Sequence, residues 1–467
     1  MALMPVTDSL FLLAESREHP MHVGGLQLFE KPEDAGPDYI SEMHRTLVRT
    51  TDVRPLFRRR PMNPVSSIGQ LAWTNDNDLD LEYHVRLSAL PTPGRVRELL
   101  ELTSRLHGTL LDRHRPLWEF TLIEGLQDGR FATYSKVHHS LLDGVSALRV
   151  LQGSLSEDPA ERDMRPLWSP RVRDNVSNLR PEPEAGASPL QGLRDAARAV
   201  WDIAALGPTA LKVINDAFRE QAAGLAFKVP KTMFNAAITG ARRFAAQGWP
   251  LERIKGVRKA VSGATLNDVM LAMCAGALRR YLIELDALPD KPLVAAVPMS
   301  LRTDSARGSS ESTLGGNAIG IILCNLATDT DDPVTRFAEI RESMQRGKKV
   351  YHGMTPLQIT ALSAIPMAPL AISMIPGALR VTPPSFNVMI SNVPGPHNPL
   401  YFNGARMSGI YPLSIPYEGQ ALNITVTSYA GNLQFGLTGC RRSVPHLQRL
   451  LTHLEDSLAE LEKALGA

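Results

Sequence analysis

Hydrophobic and polar positions change their period repeatedly along this chain, and the changes mark out an alternation of strands and helices. Residues 131–137, Phe131-Ala132-Thr133-Tyr134-Ser135-Lys136-Val137, are rich in β-branched and aromatic side chains and follow an Asp128-Gly129 turn, which predicts a strand. Residues 119–124 precede that turn with the same character, so 119–124 and 130–137 together predict a hairpin. A helix is predicted to open over 94–102, and 145–151 also has helical character. In the second half, 241–246 reads as a strand and 251–261 as a helix with Lys255, Arg258 and Lys259 on its polar side. Thr265 is placed to cap a helix over 267–282 whose inner stripe is Leu271, Ala275 and Leu278. Strands are predicted over 292–298, 317–325, 386–392 and 422–427, and amphipathic helices over 332–350 and 446–465.

Mixed strands and helices in both halves predict α/β layers rather than a bundle or a barrel. Residues 156–188, dense in Pro, Arg, Asp and Glu, predict an exposed crossover, and 191–223 a helical segment. The expected organisation is therefore a first half over 1–155, a crossover over 156–226 and a second half over 227–467.

A length of 467 residues exceeds one ordinary core, and 43% hydrophobic residues suffice to bury two. Lys plus Arg number 50 against 48 for Asp plus Glu, so a polyanion-binding role gains no support and nucleic acid is not an expected partner. Cys274, Cys324 and Cys440 are odd in number and far apart, which suits a reducing cytoplasm without a disulfide framework. The start, Met1-Ala2-Leu3-Met4-Pro5, has neither the basic residues nor the apolar core of a secretory leader. Residues 355–379 carry no charge, but Pro356, Pro366, Pro369 and Pro376 interrupt them. The expectation is buried core or the lining of a lipid tunnel, with contact at a membrane or lipid surface as the sharper alternative. The polar stretch 305–312 predicts a loop of no assigned function.

The chemistry concentrates in His138-His139-Ser140-Leu141-Leu142-Asp143-Gly144, at the end of the predicted strand. Adjacent strand residues point to opposite faces, so the two imidazoles are expected to do different jobs. One can serve as a general base near neutral pH, and the other is packed and hydrogen-bonded behind it. A purely structural pair is the bland alternative. A zinc site wants three or four convergent ligands, and opposed faces do not supply them. No Gly-x-Ser-x-Gly elbow occurs, which removes the usual serine hydrolase signature.

The spacing His-His-x-x-x-Asp-Gly resembles the signature of the CoA-dependent acyltransferase superfamily, which includes chloramphenicol acetyltransferase and the condensation domains of peptide synthetases. Pro116-Leu117-Trp118-Glu119, Leu266-Asn267-Asp268-Val269 and Ser391-Asn392-Val393-Pro394-Gly395-Pro396 narrow the likeness. Together with Asp8-Ser9-Leu10-Phe11-Leu12-Leu13-Ala14-Glu15 and Pro20-Met21-His22-Val23-Gly24, they resemble the bacterial wax ester synthase/acyl-CoA:diacylglycerol acyltransferase family over essentially the whole chain.

The resemblance implies two chloramphenicol-acetyltransferase-like domains with the active site in a channel between them. It implies transfer of a long-chain acyl group from acyl-CoA, a substrate rather than a cofactor, to a fatty alcohol or diacylglycerol, with no covalent intermediate, no metal and no further cofactor. The expected setting is cytoplasmic, or peripheral on a membrane or lipid inclusion. His139 is the expected base, with His138 supporting it. Asp143 is expected in a buried ion pair, with Arg302 as its candidate partner, and Gly144 in a sharp turn. Asn267 is either a donor to the oxyanion or a helix cap, while Asp268 is expected to be capping or structural. Glu15, Ser391 and Asn392 are expected along the substrate path, although the Pro394-Gly395-Pro396 turn alone could explain the setting of the last two, and Pro116-Leu117-Trp118 is expected in packing under the catalytic strand. Arg58-Arg59-Arg60 and the Lys255, Arg258, Lys259 cluster could meet CoA phosphates or anionic lipid, or be solvated faces. A condensation-type enzyme using carrier-protein thioesters and a non-catalytic lipid carrier are the alternatives.

Overall fold

The computed structural model describes residues 2–4, 6–62, 72–170, 229–302, 317–373 and 378–467. The predicted helix over 191–223, the loop over 305–312 and most of the crossover lie outside the described residues.

Two six-stranded mixed sheets form the frame. In the first, Phe131–His138 lies between His22–Glu30 and Trp118–Glu124, antiparallel to both, and Val85–Ala89 continues the sheet in parallel beyond Trp118–Glu124. The predicted hairpin supplies two adjacent inner strands of this sheet. In the second sheet, Val388–Val393 runs parallel to both Val294–Arg302 and Leu422–Tyr429, and Asn317–Asn325, Asn432–Cys440 and Arg242–Pro250 complete it with antiparallel pairings. The strand predicted over 317–325 occupies those residues. A small third sheet joins Ala2–Leu3, Ala72–Asn75 and Arg59–Pro61.

Helix Leu266–Glu284 packs beneath the second sheet and against Arg449–Leu465 and Pro333–Val350. Its predicted inner stripe proves too narrow. Residues from Asp268 to Leu278 are buried without a break, because neighbouring helices cover the sides that a surface helix would leave wet. Gly276 permits this closeness, since a Cβ there would lie 2.1 Å from Ser457 Oγ. Cys274 and Cys324 lie fully inside this core, where burial pushes each thiol up to about 12.

The halves are stitched by strands from the last third of the chain. Ala405–Leu413 pairs with His22–Glu30, and Tyr401–Phe402 extends the first sheet beyond it. The same segment packs on Asn432–Cys440 of the second sheet, where a Cβ on Gly436 would lie 2.0 Å from the carbonyl oxygen of Pro412. Strand Val388–Val393 crosses the same boundary: Val388 and Ile390 belong to the second core, while Val393 packs on the first. The charge-free region forms helices Pro356–Ala364 and Ala368–Ser373. Its prolines organise these helices as much as interrupt them, because Pro356 takes the first helical position, where its missing N–H is not needed. Among the described residues no helix is long and apolar enough to cross a membrane.

Candidate active site

The ladder of the first sheet runs to the end of the histidine pair. His138 N–H donates to the Leu117 carbonyl (3.0 Å) and His139 N–H to the Met21 carbonyl (2.8 Å). The chain then turns, with the amides of Leu141 and Leu142 donating to the His138 carbonyl at 2.9 and 3.2 Å, and Asp143 opens helix Gly144–Gly153.

The two imidazoles have different surroundings. His138 is fully buried, and its Nδ1 lies 2.6 Å from Ser140 Oγ and accepts the Ser140 N–H at 3.1 Å. A main-chain N–H can only donate, so Nδ1 is the acceptor and the ring proton sits on Nε2. Nε2 faces Glu15 Oε1 at 3.4 Å. That carboxylate also accepts the Met21 N–H at 3.2 Å, and its other oxygen accepts from Arg113 Nη2 at 3.0 Å. Burial pushes the Glu15 carboxyl up, but the His138 ring, the Met21 amide and the Arg113 guanidinium together hold it below its ordinary range. His139, by contrast, is only half-buried, and its ring stacks on Phe11 with centroids 4.2 Å apart.

The placement of Glu15 departs from expectation. Its side chain is 1% exposed and committed to protein partners, so it stands behind His138 rather than along a substrate path. Arg113 also donates to the Leu12 carbonyl at 2.7 Å, which fixes the helix end that carries Phe11. Arg113, Ser140 and Phe11 were not singled out in the sequence. Arg113 lies 98 residues from Glu15, and no local pattern could have joined them.

Asp143 is half-buried and caps its helix, Oδ1 accepting the Ser146 N–H at 2.9 Å and Oδ2 the Ser146 hydroxyl at 2.8 Å. The expected burial is not met, because a cap sits where the helix emerges. The side chain of Arg302, the candidate partner, lies outside the described residues. Gly144 occupies the first helical position and a Cβ there would meet nothing within 4 Å, so the turn does not require glycine. Asn267 is half-buried and does not cap. Thr265 and Asp268 form the capping box instead: Thr265 Oγ1 accepts the Asp268 N–H at 3.2 Å, and Asp268 Oδ2 accepts the Thr265 N–H at 2.8 Å. Ser391 and Asn392 are half-buried on the boundary-crossing strand.

Beneath the motif, Trp118 is buried, donates its indole N–H to the Phe57 carbonyl at 2.8 Å and stacks on Trp168. Lys136 is buried with its Nζ 3.0 Å from Glu119, and it donates to the carbonyls of Leu106 and Thr109 at 3.1 and 2.9 Å. Two cavities border this region. One is lined by Gly25, Trp118, Val137, Leu142 and Leu151 among others, so its walls flank the heptapeptide on both sides. His138, the last strand residue, shares a face with Lys136, whereas His139 stands in the turn that follows.

Such a frame of paired mixed sheets is that of the condensation-domain acyltransferases. The starter condensation domain of rhizomide synthetase matches it with a TM-score of 0.56 over 100% of this chain and 94% of its own, at 12% identity, a likeness of fold alone. Sequence relatives carry the assignment further. Residues 3–270 match the wax ester synthase/diacylglycerol acyltransferase catalytic domain and residues 315–462 the C-terminal domain of the same group, so the chain belongs to the wax ester synthase/diacylglycerol acyltransferase family and is an acyltransferase. It is 54% identical over 468 residues to a probable diacylglycerol O-acyltransferase of Mycobacterium tuberculosis, covering 100% of both chains. It is 44% identical to the wax ester synthase/diacylglycerol acyltransferase from Marinobacter aquaeolei VT8, with a TM-score of 0.79 and full coverage of both chains.

Proposed function

We propose that this chain moves a long-chain acyl group from acyl-CoA to the hydroxyl of a fatty alcohol or diacylglycerol, with His139 as general base. The observation that carries this reading is the split of the histidine pair. His138 is buried and clamped by Ser140 and Glu15, while His139 is half-buried in the turn that follows and stacks on Phe11. As the alcohol oxygen attacks the thioester carbonyl, the imidazole takes the hydroxyl proton. The tetrahedral intermediate then collapses, the C–S bond breaks, and the imidazolium returns that proton to the departing thiolate. Base assistance of this kind contributes roughly 10²–10⁴ in rate. The thioester is already activated, so no acyl-enzyme is needed. The Asn267 amide, free of capping duty, and Ser391 and Asn392 on the boundary strand are assigned to the oxyanion and the substrate path. Glu15 and Arg113 position His138 and, through the Phe11 helix, the stacked face of His139.

Water-insoluble acceptors must be drawn from a lipid surface, and we assign that contact to exposed apolar side chains. Leu13 is 64% exposed on the helix that carries Phe11, and Ile372 and Val381 are 48% and 84% exposed around the charge-free region. Flotation with vesicles tests this: Leu13→Asp together with Val381→Asp should release bound protein, and unchanged binding would refute the assignment.

The central test gives purified protein palmitoyl-CoA with hexadecanol or a diacylglycerol and follows thiol release and neutral-lipid product. His139→Ala should abolish both while thermal unfolding stays near wild type. Wild-type turnover in that variant would refute the assignment of the base. Glu15→Gln should retain turnover but shift its pH profile, which a merely structural role would leave in place.

A further inference from the structure

Both histidines of the motif lean on one loop, residues 15–21, between helix Val6–Ala14 and strand His22–Glu30. At its start Glu15 faces His138 Nε2, and at its end the Met21 carbonyl takes the His139 N–H at 2.8 Å. The Met21 N–H returns to Glu15 Oε1 at 3.2 Å and ties the two ends together. The middle is turned by Ser16 and His19, whose main chains exchange hydrogen bonds at 3.1 and 3.3 Å. A shift of this loop would therefore move the supports of both rings at once.

The second half of the chain grips that loop. His19 Nε2 lies 2.8 Å from Glu418 Oε2, and both side chains are mostly shielded from solvent. A carboxylate only accepts, so Nε2 carries the ring proton and donates it. Nδ1 meets Ser16 Oγ at 2.9 Å, which aims the ring. Glu418, in the connection between Ala405–Leu413 and Leu422–Tyr429, is fixed in turn. Its Oε2 also accepts the Ile238 N–H at 3.2 Å, and its carbonyl accepts the Ser373 hydroxyl at 2.8 Å. Ile238 belongs to the second core. Beside this contact Arg242 donates to the Glu18 carbonyl at 3.1 Å, and a Cβ on Gly240 would lie 2.2 Å from the Arg17 carbonyl oxygen.

Resting on the function proposed above, we infer that Glu418 and His19 are positioning residues for the base: the pair fixes the loop whose Met21 carbonyl holds His139 in the ladder. Neither side chain touches the reacting atoms. Their loss should appear in kcat rather than in substrate binding, because displacing a reacting group by about 1 Å can cost roughly 10²-fold in rate. An ion pair that merely adds stability would leave kcat alone.

The experiment measures kcat and KM for palmitoyl-CoA at saturating hexadecanol, together with solvent exchange of the His139 amide. It compares wild type with His19→Ala, Glu418→Ala, the double variant and Glu418→Gln, which keeps an oxygen for His19 and Ile238. Each alanine variant should lower kcat by roughly 10–100-fold with KM within about twofold of wild type, and the double variant should fall no further than the worse single. Glu418→Gln should recover most of the rate. Exchange of the His139 amide should quicken in the alanine variants and slow again in the glutamine one. Wild-type kcat in folded alanine variants, losses that multiply in the double variant, or unchanged amide exchange would each overturn the inference. Failure of the proposed base is seen separately, as wild-type turnover by His139→Ala, and the amide exchange reports on the loop in either case.

Discussion

Removal of the Asp143 carboxylate separates two accounts of its place in the motif. As a helix cap, Asp143 holds the Ser146 amide and hydroxyl at 2.9 and 2.8 Å while remaining half-buried. Loss of such a cap costs about 1 kcal/mol, with a range of about 0.5–2. Loss of one member of a buried ion pair costs roughly 3–5 kcal/mol, because the other charge is left stranded. Unfolding entropy of about 2.1 cal/mol/K per residue converts 1 kcal/mol into about 1 °C if the whole chain unfolds as one unit, or about 3 °C if the first half unfolds alone. Asp143→Ala should therefore lower the midpoint by roughly 1–3 °C. Asp143→Ser retains a capping oxygen and should recover most of that loss. The assay is thermal unfolding of the three proteins side by side at neutral pH. A drop about three to five times larger that is equal in the Ala and Ser variants would refute the capping account, since only a stranded charge is indifferent to a restored acceptor.

Other consequences follow from the same contacts. The folded Glu15 carboxyl titrates below its ordinary value of 4.5, so its stabilisation is complete above that pH and is lost as the pH falls through the lower folded value; the gap in midpoint between wild type and Glu15→Gln should shrink on acidification below about pH 4.5. Lys136→Met leaves Glu119 and two carbonyls without their buried ammonium. It should destabilise by roughly 3–5 kcal/mol in denaturant melts, whereas Arg86→Met, at the half-exposed side of the same acid, should do far less. Gly436→Ala forces a methyl onto the Pro412 carbonyl and should lower the thermal midpoint by the equivalent of about 1–3 kcal/mol or more, while Gly256→Ala, with open space around it, should raise it slightly.

What could be read in the sequence was local. The hairpin, the Thr265 cap and the strand over 317–325 each declare themselves within a dozen residues, and each is where the pattern puts it. The heptapeptide stood out too, but the strand ends at His138 and His139 falls in the turn, so the two rings differ by burial rather than by opposed strand faces. Strand His22–Glu30 gives a weaker signal, since Gly24-Gly25 lowers its β character. Ala405–Leu413 carries Ser408, Gly409 and Pro412, and its register shifts between Met407 and Gly409. The clamp on His138 was not legible, because Glu15 and Arg113 reach it only through the fold, although Ser140 lies two residues along the chain. Gly144 misled in the other direction: a glycine after an acid suggests a tight turn, yet the helix begins there without one.

The stitching by late strands bears directly on the catalytic motif. His139 holds its place in the ladder through the Met21 carbonyl, at the head of strand His22–Glu30. That strand is interior only because Ala405–Leu413 pairs along its other side, from Gly24–Leu413 to Glu30–Arg406. Without this partner it would be an edge carrying two glycines and a row of unpaired amides, a poor anchor for a base that must meet its substrate within tenths of an ångström. The strand that completes the first sheet also leans, through its own Pro412 carbonyl, on Gly436 of the second, so the geometry of the base depends on the packing of both sheets. Amides of 22–30 and 405–413 should accordingly exchange with solvent as one cooperative group in the intact protein, and Gly436→Ala should accelerate both sets together. Faster exchange confined to 405–413 would mean that the His22–Glu30 strand holds its order from Phe131–His138 alone, and that the second sheet has no hold on the base.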